Sequence, residues 1–219
     1  MSIKLMKRNK WFHVGNMEVK EKKSSYEGSG LSISIHPNEW RRIARLPGNL
    51  YSVTKENPLF LDYHKLSKKK RNEIFEWGLK KGYLTPGEVF IYEYDDEGYP
   101  ATMEFLTYDE WYSEWGYEAD DEEELGLMKK SLTKETTFFG TKELSELSGW
   151  EYKLPPSLAR TFCIIRYAEE VLELDGVYWN DILDVNRYSA PRAVIFQSKL
   201  EEWTIELVQE SKTFSSVAH

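Results

Sequence analysis

The sequence predicts an α+β protein: a mixed, mostly antiparallel sheet, several helices, and an acidic hairpin-and-helix insertion. Three observations carry that expectation. Leu31-Ser32-Ile33-Ser34-Ile35 alternates apolar and polar residues with period two, the pattern of a half-buried strand. Lys68 to Lys81 reads as a helix, with Ser67 ahead of it and Gly82 behind it. Strand and helix segments mix without the βα alternation of a doubly wound sheet. With 219 residues, 41% of them hydrophobic, the chain can bury a sizeable core as a single domain spanning 1–219, with 82–128 a candidate insertion within it. Aromatics at 15% argue against disorder.

In chain order, Trp11-Phe12-His13-Val14 is a short strand candidate, and Lys20 to Ser25 a basic loop. Glu27-Gly28-Ser29-Gly30 is a turn, which leads into the alternating strand at Leu31. Pro37-Asn38 stops that strand, and Asn38 is placed to cap a short helix over Glu39 to Arg45. The helix at Lys68 turns Ile74 and Trp77 inward. Its basic face, Lys68, Lys69, Lys70, Arg71, Lys80 and Lys81, is expected to be solvated. Glu88 to Tyr94 and Met103 to Leu106 form a hairpin around Asp95-Asp96-Glu97-Gly98. Tyr108 to Trp115 suits a helix with inward aromatics. Asp120 to Glu124, five like charges in a row, favours a loop. Pro155-Pro156-Ser157 opens a helix that brings Leu158, Phe162 and Ile165 together, with Asp175-Gly176 as its breaker. Val177 to Trp179, Arg192 to Phe196 and Glu201 to Val208 are the last strand candidates.

Charge is distributed unevenly. Between Gly82 and Met128 there is no Lys or Arg, but there are 15 Asp and Glu and 11 aromatics. The net charge of −8 therefore divides into about −15 in this segment and about +7 elsewhere. Such a segment repels phosphate backbones and attracts cationic surfaces. Direct nucleic-acid binding is therefore not the expectation, although the basic helix at Lys68 keeps it open. A basic protein partner is, with Asp120, Asp121, Glu122, Glu123 and Glu124 as the docking residues.

The single cysteine, Cys163, lies in an apolar run, cannot form an internal disulfide and reads as a buried structural thiol. Met1 to Arg8 is basic and lacks the apolar core of a secretory signal, and no apolar run reaches membrane-span length. The expectation is a soluble cytoplasmic protein with no membrane association; the sequence leaves the oligomeric state open. Phosphate-loop, nucleophile-elbow and zinc-protease motifs are absent from the sequence. The run Asp175 to Asp184 gathers three Asp, but turn chemistry explains it without a metal. His36 and His64 are available for acid–base work without an assignable partner, and Arg192 for a phosphate or a salt bridge.

His13 on the first strand, a Gly-rich turn, and the Ser32-x-Ser34 strand together resemble the front half of the mono-ADP-ribosyltransferase fold. The resemblance covers Trp11 to Ile35. It implies NAD as cofactor, His13 as the anchor for its ribose and nicotinamide end, and Ser32 and Ser34 as the supporting strand. It further implies Tyr51 or Tyr63 as the nicotinamide platform, and Glu173 as the carboxylate beside the developing oxocarbenium charge. On this reading the protein is an NAD-dependent transferase, a toxin or a defence or counter-defence factor. The alternative is a non-catalytic acidic interaction protein, a nucleic-acid mimic or inhibitor, that docks on a basic partner.

Overall fold

The computed structural model describes residues 3–15, 17, 28–96, 99–150, 154–181, 183 and 190–210. The strands are β1 (Leu5–Met6), β2 (Lys10–Gly15), β3 (Leu31–Ser34), β4 (Asn49–Thr54), β5 (Phe60–Asp62), β6 (Leu84–Asp96), β7 (Tyr99–Phe105), β8 (Thr133–Gly140), β9 (Gly176–Trp179), β10 (Arg192–Ile195) and β11 (Thr204–Gln209). The helices are α1 (Pro37–Ile43), α2 (Lys68–Lys81), α3 (Tyr108–Glu114), α4 (Glu122–Ser131), α5 (Lys142–Leu147) and α6 (Pro156–Glu170). The chain is of the α+β class.

Eight strands form one sheet in the order β1-β5-β9-β10-β3-β2-β4-β11. Every neighbouring pair is antiparallel except β5 and β9, which run parallel. Helices α2 and α6 pack on one face around Leu61, Ile74, Phe162, Ile164, Val177 and Val194. Each such side chain contributes about 1.5–3 kcal/mol on burial, so this cluster dominates the fold's stability. The opposite face gathers Trp11, Ile33, Val53, Phe60, Tyr178, Ile195 and Trp203. β3 is therefore buried on both faces rather than half-buried. Its serines tolerate this because Ser34 Oγ donates to the Pro191 carbonyl at 2.7 Å and accepts from the His36 amide at 3.1 Å.

Sequence 84–140 builds a second sheet in the order β7-β6-β8, with α3 and α4 between β7 and β8. The expected hairpin is β6–β7, with Asp96 opposite Tyr99. β6 is longer than the spacing suggested and contains Pro86. There it pairs with β8 alone, so the missing N–H breaks no ladder bond on a second side.

Several local expectations change. Helix α1 starts at Pro37, which suits the first helical position, so His36 and not Asn38 occupies the cap. Asp120 to Glu124 is not a loop. Asp121 caps α4 by accepting from the Glu124 amide at 2.9 Å, and Glu124 reaches back to the Asp120 amide at 2.8 Å. Carboxylates in a first helical turn meet the positive end of the helix dipole, which outweighs their mutual repulsion. On α2, Lys70 reaches the Tyr167 hydroxyl at 3.2 Å and Arg71 the Tyr63 carbonyl at 2.8 Å, so these two are half-buried while the rest of the basic face is exposed. Helix α6 ends at Glu170, ahead of Asp175, and Glu201 and Glu202 lie in a 3-10 turn before β11. The loop expected over 20–25, Glu97 and Gly98, Asp184, and the tail beyond Ser211 lie outside the described residues.

Candidate functional site

Adjacent strands bring part of the expected NAD constellation together. His13 Nδ1 lies 2.8 Å from the Ser32 carbonyl oxygen. A carbonyl only accepts, so Nδ1 carries the proton. Tyr51 on β4 is the cross-strand partner of His13, with ring centroids 6.1 Å apart. Ser34 lies two residues further along β3. His13, Ser32 and Ser34 are buried.

Tyr63 and Glu173 lie elsewhere. Tyr63 follows β5, from which β9, β10 and β3 separate β2. Its hydroxyl meets Thr161 Oγ1 at 3.1 Å, and the Arg71 guanidinium covers its ring at 4.5 Å. Glu173 is exposed in the turn after α6, with a left-handed φ of 51°. It precedes β9, which stands three ladder spacings, roughly 14 Å, from β2. No hydrogen bond or ion pair joins Glu173 to His13 among the described residues. Of the two platform candidates, Tyr51 is the one beside His13.

The acidic segment presents a different surface. Tyr92, Phe105 and Trp111 form its small core, and Leu125 and Met128 of α4 pack against it. The nine carboxylates from Asp109 to Glu124 are all exposed. None of them forms an ion pair with a basic side chain among the described residues; Glu110, Asp121 and Glu124 accept only from backbone amides. The nearest cation along the chain is Lys129. Its pKa is raised by a hydrogen bond to Tyr108, over whose ring its ammonium sits at 5.5 Å. The lobe is tied to the body by Arg160 of α6, which reaches Glu104 Oε1 at 2.6 Å and also bonds Thr137 Oγ1.

A third cluster escaped the sequence reading. The carboxyl ends of the parallel strands β5 and β9 place His64 and Asp181 together, with His64 Nε2 3.0 Å from Asp181 Oδ1. Arg192, the first residue of β10, bonds the other Asp181 oxygen and lies over the Trp179 ring at 5.7 Å. The carboxylate orients the half-exposed imidazole with Nε2 as donor. His64 and Asp181 are 117 positions apart in sequence, so no local signal joins them. Nearby, burial pushes the Tyr178 phenol up from its ordinary pKa.

Cys163 is fully buried, and burial pushes its thiol up to about 12, as a structural cysteine requires. Among the described residues no group of three His, Cys, Asp or Glu is arranged to hold a metal, and no helix is long and apolar enough to cross a membrane. Fold and surface together define an α+β protein with a large helix-covered sheet and an acidic lobe. No protein-family model, curated protein or solved structure matches the chain.

Proposed function

We propose that this is a non-catalytic interaction protein whose acidic aromatic lobe docks on a basic partner. The observation that carries the reading is the row of exposed carboxylates from Asp109 to Glu124, none of which forms an ion pair with a basic side chain among the described residues. Carboxylates concentrated on one small lobe produce a local field that a cationic surface senses within about 10 Å at 0.1 M salt. Such a field acts mainly on the association rate. Spaced carboxylates of this kind also suit mimicry of a phosphate backbone.

The test is a variant carrying D120N, D121N, E122Q, E123Q and E124Q. Association with a captured basic partner should slow, and its salt dependence should flatten. Asn at position 121 preserves the cap, and losing first-turn carboxylates costs typically about 0.3–1 kcal/mol each. The variant should therefore fold, with α4 less stable. An unchanged association rate at low salt would remove the reading.

A second reading, the NAD-dependent transferase, is favoured by one observation: His13, Ser32 and Tyr51 share one neighbourhood. It predicts that His13→Ala abolishes NAD cleavage or transfer, as followed by nicotinamide release, whereas Glu173→Gln, three ladder spacings away, leaves it unchanged. Wild-type levels of release in His13→Ala would dismiss this reading.

A further inference from the structure

The acidic lobe also exposes aromatic surface. Tyr112 is 44% exposed and Tyr117 is 65% exposed. Tyr112 lies on α3 and Tyr117 in the 3-10 turn that follows it. The Tyr112 ring lies on Gly116, where an added Cβ would come within 2.5 Å of it, and Tyr117 is the next residue. Tyr112 also stacks on Tyr108, with centroids 6.3 Å apart and planes 24° apart. The Lys129 ammonium lies over the ring of Tyr108. Among the described residues no cation lies over the ring of Tyr112 or Tyr117. Exposed carboxylates at Asp109, Glu114, Glu118 and Asp120 flank them in sequence.

Resting on the docking reading above, we infer that Tyr112 and Tyr117 are the anchor of that surface and that its occupant is an arginine-rich protein segment. Charge complementarity fixes the sign of the partner. The rings select among cations. A guanidinium is planar and weakly hydrated, so it stacks on an aromatic face while its fork bonds a neighbouring carboxylate. An ammonium is a strongly hydrated point charge and gains less from the ring. A nucleic acid would meet the same carboxylates as repulsion.

The probes are fluorescently labelled nona-arginine and nona-lysine peptides, titrated by anisotropy at low salt. Wild type should bind nona-arginine more tightly than nona-lysine. The double variant Tyr112→Ala/Tyr117→Ala should bind nona-arginine roughly tenfold more weakly, as expected for two exposed cation–π contacts. The variant Tyr112→Phe/Tyr117→Phe should keep wild-type affinity, because the ring faces remain. Where the alanine double variant fails to fold, Tyr117→Ala alone serves, since that ring is the more exposed. The charge variant of the preceding section should weaken both peptides alike. Equal affinity of wild type for the two peptides, or full nona-arginine affinity without the rings, overturns the anchor while leaving the docking surface standing. Failure of wild type to bind either peptide overturns both.

Discussion

The eight-stranded sheet and the acidic lobe bury aromatic residues in opposite ways. The large sheet is covered by two long helices, and its two clusters contain residues from nearly every strand. Several of its charged groups are paired with one another. Lys55 lies 2.5 Å from both Asp175 and Glu202, and Arg166 holds Glu169 and Glu170. The lobe closes three buried aromatic residues under two short helices and leaves the carboxylates from Asp109 to Glu124 to solvent. The sheet ties these charges into its own architecture, and the lobe keeps that row available. Local stability should follow the same division, since opening free energy tracks buried apolar contacts.

Truncations in the two cores test the division with the largest effect. Phe162→Ala removes a fully buried ring from the main cluster and should cost about 3–5 kcal/mol, lowering the global melting temperature. Trp111→Ala removes the central ring of the lobe, and its loss should be felt locally. Hydrogen exchange should then accelerate in β7, α3 and α4 while β3, β9 and β10 stay protected. Equal loss of protection in β9 and β10 would show that lobe and body unfold as one unit.

Legibility in the sequence divides along different lines. The ends of α2 were readable because Ser67 and Gly82 use local cap chemistry, a 3.2 Å bond to the Lys70 amide and a left-handed φ of 79°. β3 was readable from its period, although burial on its second face was not, since that depends on β10 and the Pro191 carbonyl. β4, β5, β8 and α5 gave no signal strong enough to assign. The start of α4 was misread because repulsion among Asp120 to Glu124 is visible in the string, whereas the reciprocal bonds of Asp121 and Glu124 require the backbone. For the candidate site, the neighbourhood of His13, Ser32 and Tyr51 follows from strand pairing, but the sheet order that separates Tyr63 and Glu173 from β2 is not written in the local sequence. The His64–Asp181–Arg192 cluster is created by the single parallel pair, a long-range feature.

Alkaline pH should strain the body first. Burial pushes the Cys163 thiol from 9.0 to about 12. Burial, then the hydrogen bond to Glu170, pushes the Tyr83 phenol from 10.0 to about 12. Burial alone would lower the Lys55 ammonium, but the bonds to Asp175 and Glu202 outweigh it and raise its pKa. Each folded-state pKa exceeds its unfolded value, so each group's contribution is complete below the unfolded value. It is lost as pH rises through the folded one. Stability should fall progressively above about pH 9. Cys163→Ala deletes one of these groups without adding volume where the sulfur already abuts Gly78, and should flatten the decline of melting temperature with pH. A variant whose melting temperature fell in parallel with wild type would assign the decline to other groups.

The smallest effects are the sharpest discriminators, because two substitutions of opposite chemistry should each stabilise one region. Glu173 holds a left-handed φ of 51° while exposed, a conformation that costs a non-glycine residue roughly 1 kcal/mol. Glu173→Gly removes that strain but adds unfolded-chain entropy, so the net gain should be a few tenths of a kcal/mol up to about 1. Gly126 lies inside α4, where an added Cβ would meet nothing within 4 Å. Gly126→Ala should therefore stabilise that helix by about 0.5–1 kcal/mol. The first gain should appear in the global melting temperature. The second should appear as slower exchange of α4 amides with the global transition unmoved. If Gly126→Ala raised the global melting temperature as much as Glu173→Gly, the lobe would share the cooperativity of the main sheet, and its carboxylates would sit on a surface as rigid as the rest of the fold.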